Sequence, residues 1–300
     1  MELRVLKYFV EVARTRNISR AAENLYVSQP AISKQLQLLE DELGVELFSK
    51  VNRGIQLTAA GIRFLQRAED LLELENKTKN EFANFNRELT GNIYIGGAES
   101  HTFKFVAQAV KNFREKYSDV QFHIYSGNNE DIERLNSGLL DFVLTIQSVD
   151  FEIFDFIKLP VSDIWGVIMR KDSSLAAKEK INIHDLKNLP LIMSREAMTE
   201  EYPKFFSTQL NKMKIAATFN LSYNAAMLAR AGIGYLIGIG GLINDAELCF
   251  RPLTPELKSD VYFIWKKYRQ FSPAAEFFLS EMKNLYDKPS ACSIQCQLRR

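Results

Sequence analysis

Residues 17–44 read NISRAAENLYVSQPAISKQLQLLEDELG. Ser19 is placed to accept a backbone N–H at the start of a short helix running to Tyr26, in which Ala21, Ala22 and Leu25 face inward. Two alanines on that face let a second helix approach closely. Ser28 is a second candidate cap, and Pro30 falls in a first turn, where a missing amide costs nothing. The helix that follows turns Ile32, Leu36, Leu39 and Leu43 to one side and stops at Gly44. Its other side presents Gln29, Ser33, Lys34 and Gln37, side chains rich in donors and acceptors that suit base edges and phosphates in a major groove.

Upstream, Leu3, Leu6, Phe9, Val10 and Ala13 recur at helical spacing and predict a first amphipathic helix. Downstream, Val45–Phe48 and Ile55–Leu57 flank Lys50-Val51-Asn52-Arg53-Gly54, an apolar-turn-apolar pattern that predicts a β-hairpin tipped with Lys50 and Arg53. Helix, helix, polar-faced helix and basic hairpin, in that order, describe a winged helix-turn-helix. The wing would touch backbone or minor groove. The candidate DNA contacts are Ser19, Arg20, Ser28, Gln29, Pro30, Ser33, Lys34, Gln37, Lys50 and Arg53.

Bulk charge gives no hint of this. The 300 residues carry a formal net charge of +1, and residues 1–60 hold eight Lys/Arg against seven Asp/Glu. The acidic run Glu40-Asp41-Glu42 lies at the far end of the polar helix, away from any phosphate. Charge is therefore sorted by element rather than in excess.

Ser19-Arg20-Ala21-Ala22, Val27-Ser28-Gln29-Pro30-Ala31-Ile32-Ser33, Leu39-Glu40, Leu43-Gly44, Leu47-Phe48, Arg53-Gly54, Leu57-Thr58 and Gly61, within residues 2–66, resemble the DNA-binding domain of the LysR-type transcriptional regulators. Lys50 departs from that family, which more often has arginine there, so a bidentate phosphate contact is not expected at this position.

Thr58 is placed to cap a helix to about Glu88, roughly 45 Å at 1.5 Å per residue. Its stripe of Ile62, Leu65, Leu72, Phe82, Phe85 and Leu89 is more than a sixty-residue module can cover, and a second copy of the chain would bury it. The resemblance implies the same, since such helices pair antiparallel-fashion in that family and full regulators are commonly tetramers. Homodimer and homotetramer both stand.

From Gly91 strands alternate with helices: Asn92–Gly96, 102–117, Val120–Tyr125, 129–138, Phe142–Ile146, then Trp165–Met169, Leu191–Met193, a helix after Ser194, Ala216–Asn220, 222–231, Ile233–Ile237, Val261–Trp265 and 273–286. The pattern predicts a mostly parallel sheet. It resembles the family's effector domain, two α/β lobes of periplasmic-binding-protein type, with the chain crossing near Pro160 and returning near Lys266. The expected division is 1–58 for the winged module, 59–90 for the linker and 91–300 for the effector domain. In the last of these, lobe one is about 91–160 with 266–288 and lobe two about 161–265.

A ligand in such a fold sits between the lobes, where strands end and helices begin. That places Ser100, Thr102, Asn129, Ser194, Asn220 and Ser222 around it, with His101 among them as a group that could titrate or meet a carboxylate. The resemblance supports Ser100, Thr102 and Asn129 most directly. His123 and His184 read as structural.

No nucleophile–base pair, metal cluster or phosphate loop is evident, and Gly232-Ile233-Gly234 lacks the rest of a dinucleotide fingerprint. Neither an enzyme nor a cofactor is expected, only a small-molecule co-inducer. A transport-type solute-binding protein is opposed by the absence of a secretory pattern at the N-terminus and by the helix-turn-helix. The longest apolar stretch, Gly232 to Ile243, holds five glycines and is too short to cross a bilayer. Cys249 reads as a small core residue, and Cys292 and Cys296 in the polar tail make no closed metal site. The expected protein is cytoplasmic and makes no use of a membrane. Its partners would be double-stranded DNA, a small-molecule effector and RNA polymerase.

Overall fold

The computed structural model describes residues 1–51, 54–83, 89–127, 129–146, 150–195 and 213–287. It divides into two compact units, Met1–Phe85 and Asn86–Arg300.

The first unit holds α1 (Leu3–Thr15), α2 (Ile18–Leu25), α3 (Gln29–Leu43), β1 (Phe48–Val51), β2 (Gly54–Leu57) and α4 (Ala59–Ala83). Its core is Leu6, Phe9 and Val12 of α1 against Ala21 and Ala22 of α2, Ile32, Leu36 and Leu39 of α3, and Leu47 and Ala68. Phe9 is the pivot, with its ring 4.9 Å from Phe64 of α4 and 5.1 Å from Phe48 of β1. Of the residues expected inward, Leu3 and Leu43 are exposed, because the buried stripes run through Val5 and Val12 and stop at Leu39.

Three local expectations are corrected here. Asn17, not Ser19, caps α2: its side chain accepts the Arg20 N–H at 3.0 Å, and Ser19 lies within the first turn. Ser28 holds the cap position of α3 in an extended conformation but makes no side-chain capping bond. The hairpin's first strand begins at Phe48 rather than Val45, because the Glu40 carboxylate accepts the Leu47 and Phe48 amides at 2.7 and 3.0 Å and fixes the entry to β1. Glu40 is thus a structural brace between α3 and the wing.

Thr58 caps α4 as expected, accepting the Gly61 N–H at 3.0 Å. Gly61 is required there, since a Cβ would stand 2.1 Å from the Leu47 carbonyl oxygen. The end of the expected linker, residues 84–88, lies outside the described residues, as do the side chains of Phe82 and Phe85.

The second unit is two mixed sheets. The first, in lobe one, is built from β3 (Gly91–Gly97), β4 (Val120–Ser126), β5 (Phe142–Thr145), β6 (Phe154–Lys158) and β14 (Tyr262–Lys266), in the order β4-β3-β5-β14-β6. α5 (Phe103–Lys116) and the last helix, Pro273–Tyr286, cover one face through Val106, Ala109, Phe113 and Phe278. α6 (Asn129–Asn136) covers the other through Leu135, with Leu140, Val143 and Ile264.

Lobe two contains β7 (Asp163–Arg170), β8 (Ile181–Asn182), β9 (Pro190–Ser194), β10 (Lys214–Phe219), β11 (Tyr235–Ile239), β12 (Leu248–Thr254) and β13 (Lys258–Ser259), with α7 (Ser222–Arg230) and the helix Pro273–Tyr286 taken as α8. The strand order is β10-β9-β11-β7-β12-β8, and β13 pairs with β7. Ala225, Ala226 and Ala229 let α7 lie close to Ile168, Ile192 and Leu236.

The sheets are mixed rather than mostly parallel: β14 runs antiparallel to β5 and β6, and β7 runs antiparallel to β11 and β12. β14 also moves the second crossing. Tyr262–Lys266 is already inside the lobe-one sheet, so the chain returns at Asp260–Val261, not near Lys266. The two crossing strands are joined there, with Leu159 N–H donating to the Val261 carbonyl at 2.9 Å and the Ser162 hydroxyl to Asp260 at 2.8 Å.

Candidate functional sites: a nucleic-acid interface and an interlobe cleft

α3 buries Ile32, Leu36 and Leu39 and leaves Gln29, Pro30, Lys34 and Gln37 exposed, with Ser33 half-buried between them. Gln29 Nε2 donates to Ser33 Oγ at 2.8 Å, one helical turn on, and Gln37 Nε2 donates to Asp41 Oδ1 at 3.0 Å. The first pair ties an exposed side chain to a half-buried one as a single polar unit. Ser19, Arg20, Ser28 and Lys50 are all exposed on neighbouring elements. Arg53 lies outside the described residues.

The cations of this unit fall into two sets. Lys7 pairs with Glu75 at 3.0 Å, Arg14 with Glu11 at 2.6 Å and Arg67 with Asp70 at 3.6 Å. Arg14 and the Asn24 amide hold the Glu11 carboxyl below its usual range. Among the described residues no ion pair engages Arg20, Lys34 or Lys50. Intramolecular pairing thus neutralises several cations of α1 and α4, though not Arg16 or Arg63, and leaves Arg20, Lys34 and Lys50 without an acid among the described residues.

An apolar surface runs beside α4. Ile62 is 62% exposed and Leu71 and Leu74 are exposed with it. A groove of about 500 Å3 lined by Leu43, Val45, Ala60 and Phe64 lies next to it.

In the second unit the two lobes meet where β3 ends. Ser100 and Thr102 are buried, with their hydroxyl oxygens 2.5 Å apart, and Ser100 Oγ accepts the Thr102 N–H at 3.0 Å. Thr102 sits at the cap of α5 without a side-chain capping bond. His101 Nδ1 lies 2.8 Å from Asp163 Oδ1, at the first residue of β7. Asp163 is wholly buried, and that burial raises its carboxyl pKa against the opposing pull of Ser100 and His101. Gly241, after β11, meets the same histidine: a Cβ there would lie 3.4 Å from His101 Cβ. Ile146 packs against the cores of both lobes.

One helix start expected to be open to a ligand already meets a carboxylate, and a second carboxylate is buried beside the end of β3. The Ser222 N–H at the head of α7 donates to Glu99 Oε2, from the opposite lobe. Asp131, 2% exposed on α6, sits against Gly96 and Gly127 and accepts from the Gly97 and Gly127 amides. Burial pushes its pKa up to about 6, with Arg134 opposing. Ser194 ends β9 and Asn220 follows β10, so both lie at the carboxyl ends of parallel strands. The Asn129 side chain and the helix expected after Ser194 lie outside the described residues, as do Cys292 and Cys296. Cys249 is half-buried on β12 against the lobe-two core. His123 is structural: it stacks on Tyr94 and contacts Asn92 at 3.0 Å.

Glu99, Asp131 and Asp163 were not singled out by the sequence. The available signal for Asp163 was an acid directly ahead of the apolar run Ile164–Met169. For Glu99 no local signal exists, because its partner is 123 positions away.

Among the described residues no helix is long and apolar enough to cross a membrane, and no group of three or more metal-ligating side chains occurs.

Comparison with known proteins matches both units. Residues 3–62 fit the profile described as bacterial regulatory helix-turn-helix protein, lysR family, and residues 86–286 fit the LysR substrate binding domain. The chain is 27% identical over 283 residues to the HTH-type transcriptional regulator YybE of Bacillus subtilis, covering 93% of this chain and 97% of that one. It is 27% identical over 294 residues to the transcriptional activator CmpR of Synechocystis, covering 92% and 93%. Among solved structures, full-length CbnR in complex with its target DNA superposes with a TM-score of 0.74 at 22% identity, over 95% of this chain and all of that one.

Proposed function

The chain belongs to the LysR family of DNA-binding transcriptional regulators, with a helix-turn-helix module and a substrate-binding domain, and from that premise we propose how its parts divide the work. α3 enters the major groove. Gln29, Ser33, Lys34 and Gln37 meet base edges and adjacent phosphates, while Ser19, Arg20, Ser28, Pro30, Lys50 and Arg53 fix the register on the backbone. The observation that carries this reading is that, among the described residues, Arg20, Lys34 and Lys50 beside α3 and the wing have no acidic partner, while Lys7, Arg14 and Arg67 on α1 and α4 do.

The functional segments are the winged module 1–58, the linker 59–90 and the effector domain 91–300. A small-molecule effector sits between the lobes, contacted by Ser100, Thr102, Asn129, Ser194 and Asn220, with His101 at its edge. Ser222 contributes through its helix rather than as a free amide, since Glu99 already holds that N–H. The exposed apolar surface of α4 supports assembly into a homodimer or homotetramer. Effector binding shifts the lobes, alters the spacing of recognition helices and so changes DNA bending and recruitment of RNA polymerase. The protein acts in the cytoplasm as a regulator and not as an enzyme.

Selection of duplexes from a randomised pool, followed by a salt titration of the winner, tests the reading. A two-fold symmetric site is expected to enrich, with the logarithm of its affinity falling linearly in log salt. A pool that yields no preferred sequence would overturn it.

A further inference from the structure

α7 begins with an apolar cap residue. Leu221 occupies the N-cap position in an extended conformation and offers no side-chain acceptor to the free amides of the first turn. The acceptor comes from the other lobe: Glu99, two residues beyond the end of β3, takes the Ser222 N–H on Oε2. The next residues extend the same connection. Ser100 and His101 face Asp163 at the start of β7, and His101 lies against Gly241 of lobe two. The segment 99–101 therefore crosses the cleft, and its first side chain puts a carboxylate where an anionic ligand would otherwise dock on α7.

The acids around the cleft are not equally compensated. Asp131 has the Arg134 guanidinium close enough to oppose its shift, and Asp163 has His101 at 2.8 Å. Among the described residues Glu99 has no cationic partner and rests on one backbone amide alone.

We propose that Glu99 is the specificity-determining residue of the interlobe cleft, an internal carboxylate that selects an effector carrying a cationic nitrogen over one carrying a carboxylate. An anion entering here exchanges one carboxylate for another on α7 and leaves Glu99 facing a like charge. An ammonium group instead gains a charge-assisted hydrogen bond to Glu99 while the bond to Ser222 persists. The proposal rests on the reading of this cleft as the effector site.

The test uses the full-length protein with ethylammonium chloride and sodium acetate at matched ionic strength. Saturable shifts in Tm give an apparent Kd for each. Wild type is expected to prefer ethylammonium by about tenfold or more. Glu99→Gln keeps an acceptor for Ser222 but removes the charge, and should lose that preference without gaining acetate. Glu99→Ala vacates the head of α7 and should bind acetate about tenfold more tightly than wild type. Equal response of wild type to both probes, no response to either, or an ethylammonium affinity unchanged in Glu99→Gln overturns the assignment. Duplex selection on the same preparations reports separately on the regulator reading, which fails only if wild type selects no sequence.

Discussion

Asp163 Oδ1 stands 2.8 Å from His101 Nδ1, joining the first residue of β7 to the segment that leads from β3 into α5. The carboxylate is wholly buried while the imidazole keeps about a quarter of its side-chain surface in water. A buried acid facing a partly solvated base is an asymmetric pair, because removing the base strands a charge that removing the acid does not. His101→Ala is therefore expected to cost roughly 1–3 kcal/mol. Asp163→Asn should cost less. The double variant should fall short of the sum by about 1 kcal/mol or more. Calorimetry of the effector-unit transition in all four proteins measures this, and strict additivity would show that the two groups do not interact.

Asp131 makes stability depend on pH with a definite sign. Its pKa is pushed up to about 6 in the folded protein by burial, against about 3.9 for an unperturbed aspartate. An acid that holds its proton more tightly when folded costs the native state nothing below its unfolded pKa, costs progressively more as pH rises from about 3.9 to about 6, and costs a constant full amount above that. The full effect corresponds to roughly 2–3 kcal/mol. Asp131→Asn retains an oxygen for the Gly97 and Gly127 amides without the charge. The variant should be more stable than wild type at pH 8, and the gap should shrink as pH falls below 6 and close only near or below about pH 4. A gap independent of pH in paired thermal melts would remove Asp131 as its source.

Legibility in the sequence tracks how local the governing interaction is. α3 was readable because Pro30 and Gly44 act within one turn of its ends, although Ser28 holds the cap position without a capping bond. α2 was misread by two residues, because both Asn17 and Ser19 can cap and only Asn17 has the extended backbone that a cap needs. β12 escaped notice because Arg251 and Pro252 break its apolar run. The guanidinium is satisfied by the Ala176 and Lys178 carbonyls, and the strand's partner β7 lies some 80 positions earlier. The cleft divides the same way. Ser100 and Thr102 follow from their place after a strand, whereas Glu99 and Asp163 look like solvated acids until the lobes bring in Ser222 and His101.

The junction of the wing with α4 depends on a glycine chosen for space. A methyl group at residue 61 would press on the Leu47 carbonyl at 2.1 Å, and that carbonyl also accepts the Thr58 N–H at 3.0 Å. Backbone cannot give way as a side chain can, so Gly61→Ala should destabilise the first unit by about 1–3 kcal/mol despite the better helix propensity of alanine. Glu40→Ala, which removes the acceptor for two amides of the same strand entry, should cost a similar amount. Both variants should lower operator affinity only as far as they unfold the wing, so affinity measured well below the melting transition should recover. A Gly61→Ala protein with unchanged melting would mean that the two segments do not approach as described.

The Gln29–Ser33 hydrogen bond of 2.8 Å predicts how base reading fails when either side chain is cut back. Each orients the other on the exposed face of α3, so Gln29→Ala and Ser33→Ala should each weaken the selected site by roughly 1–3 kcal/mol and relax preference at the same base step. The double variant should be little worse than the poorer single one. Arg20 and Lys34 differ in kind. Without an acidic partner among the described residues, they have only solvent to lose on meeting phosphate, and alanine at either should weaken all duplexes alike and reduce the salt slope by about 1. Anisotropy titrations of matched and scrambled duplexes at several salt concentrations separate the two behaviours. Loss at Gln29 that is equal on both duplexes would place that residue on the backbone and move the recognition surface elsewhere on α3.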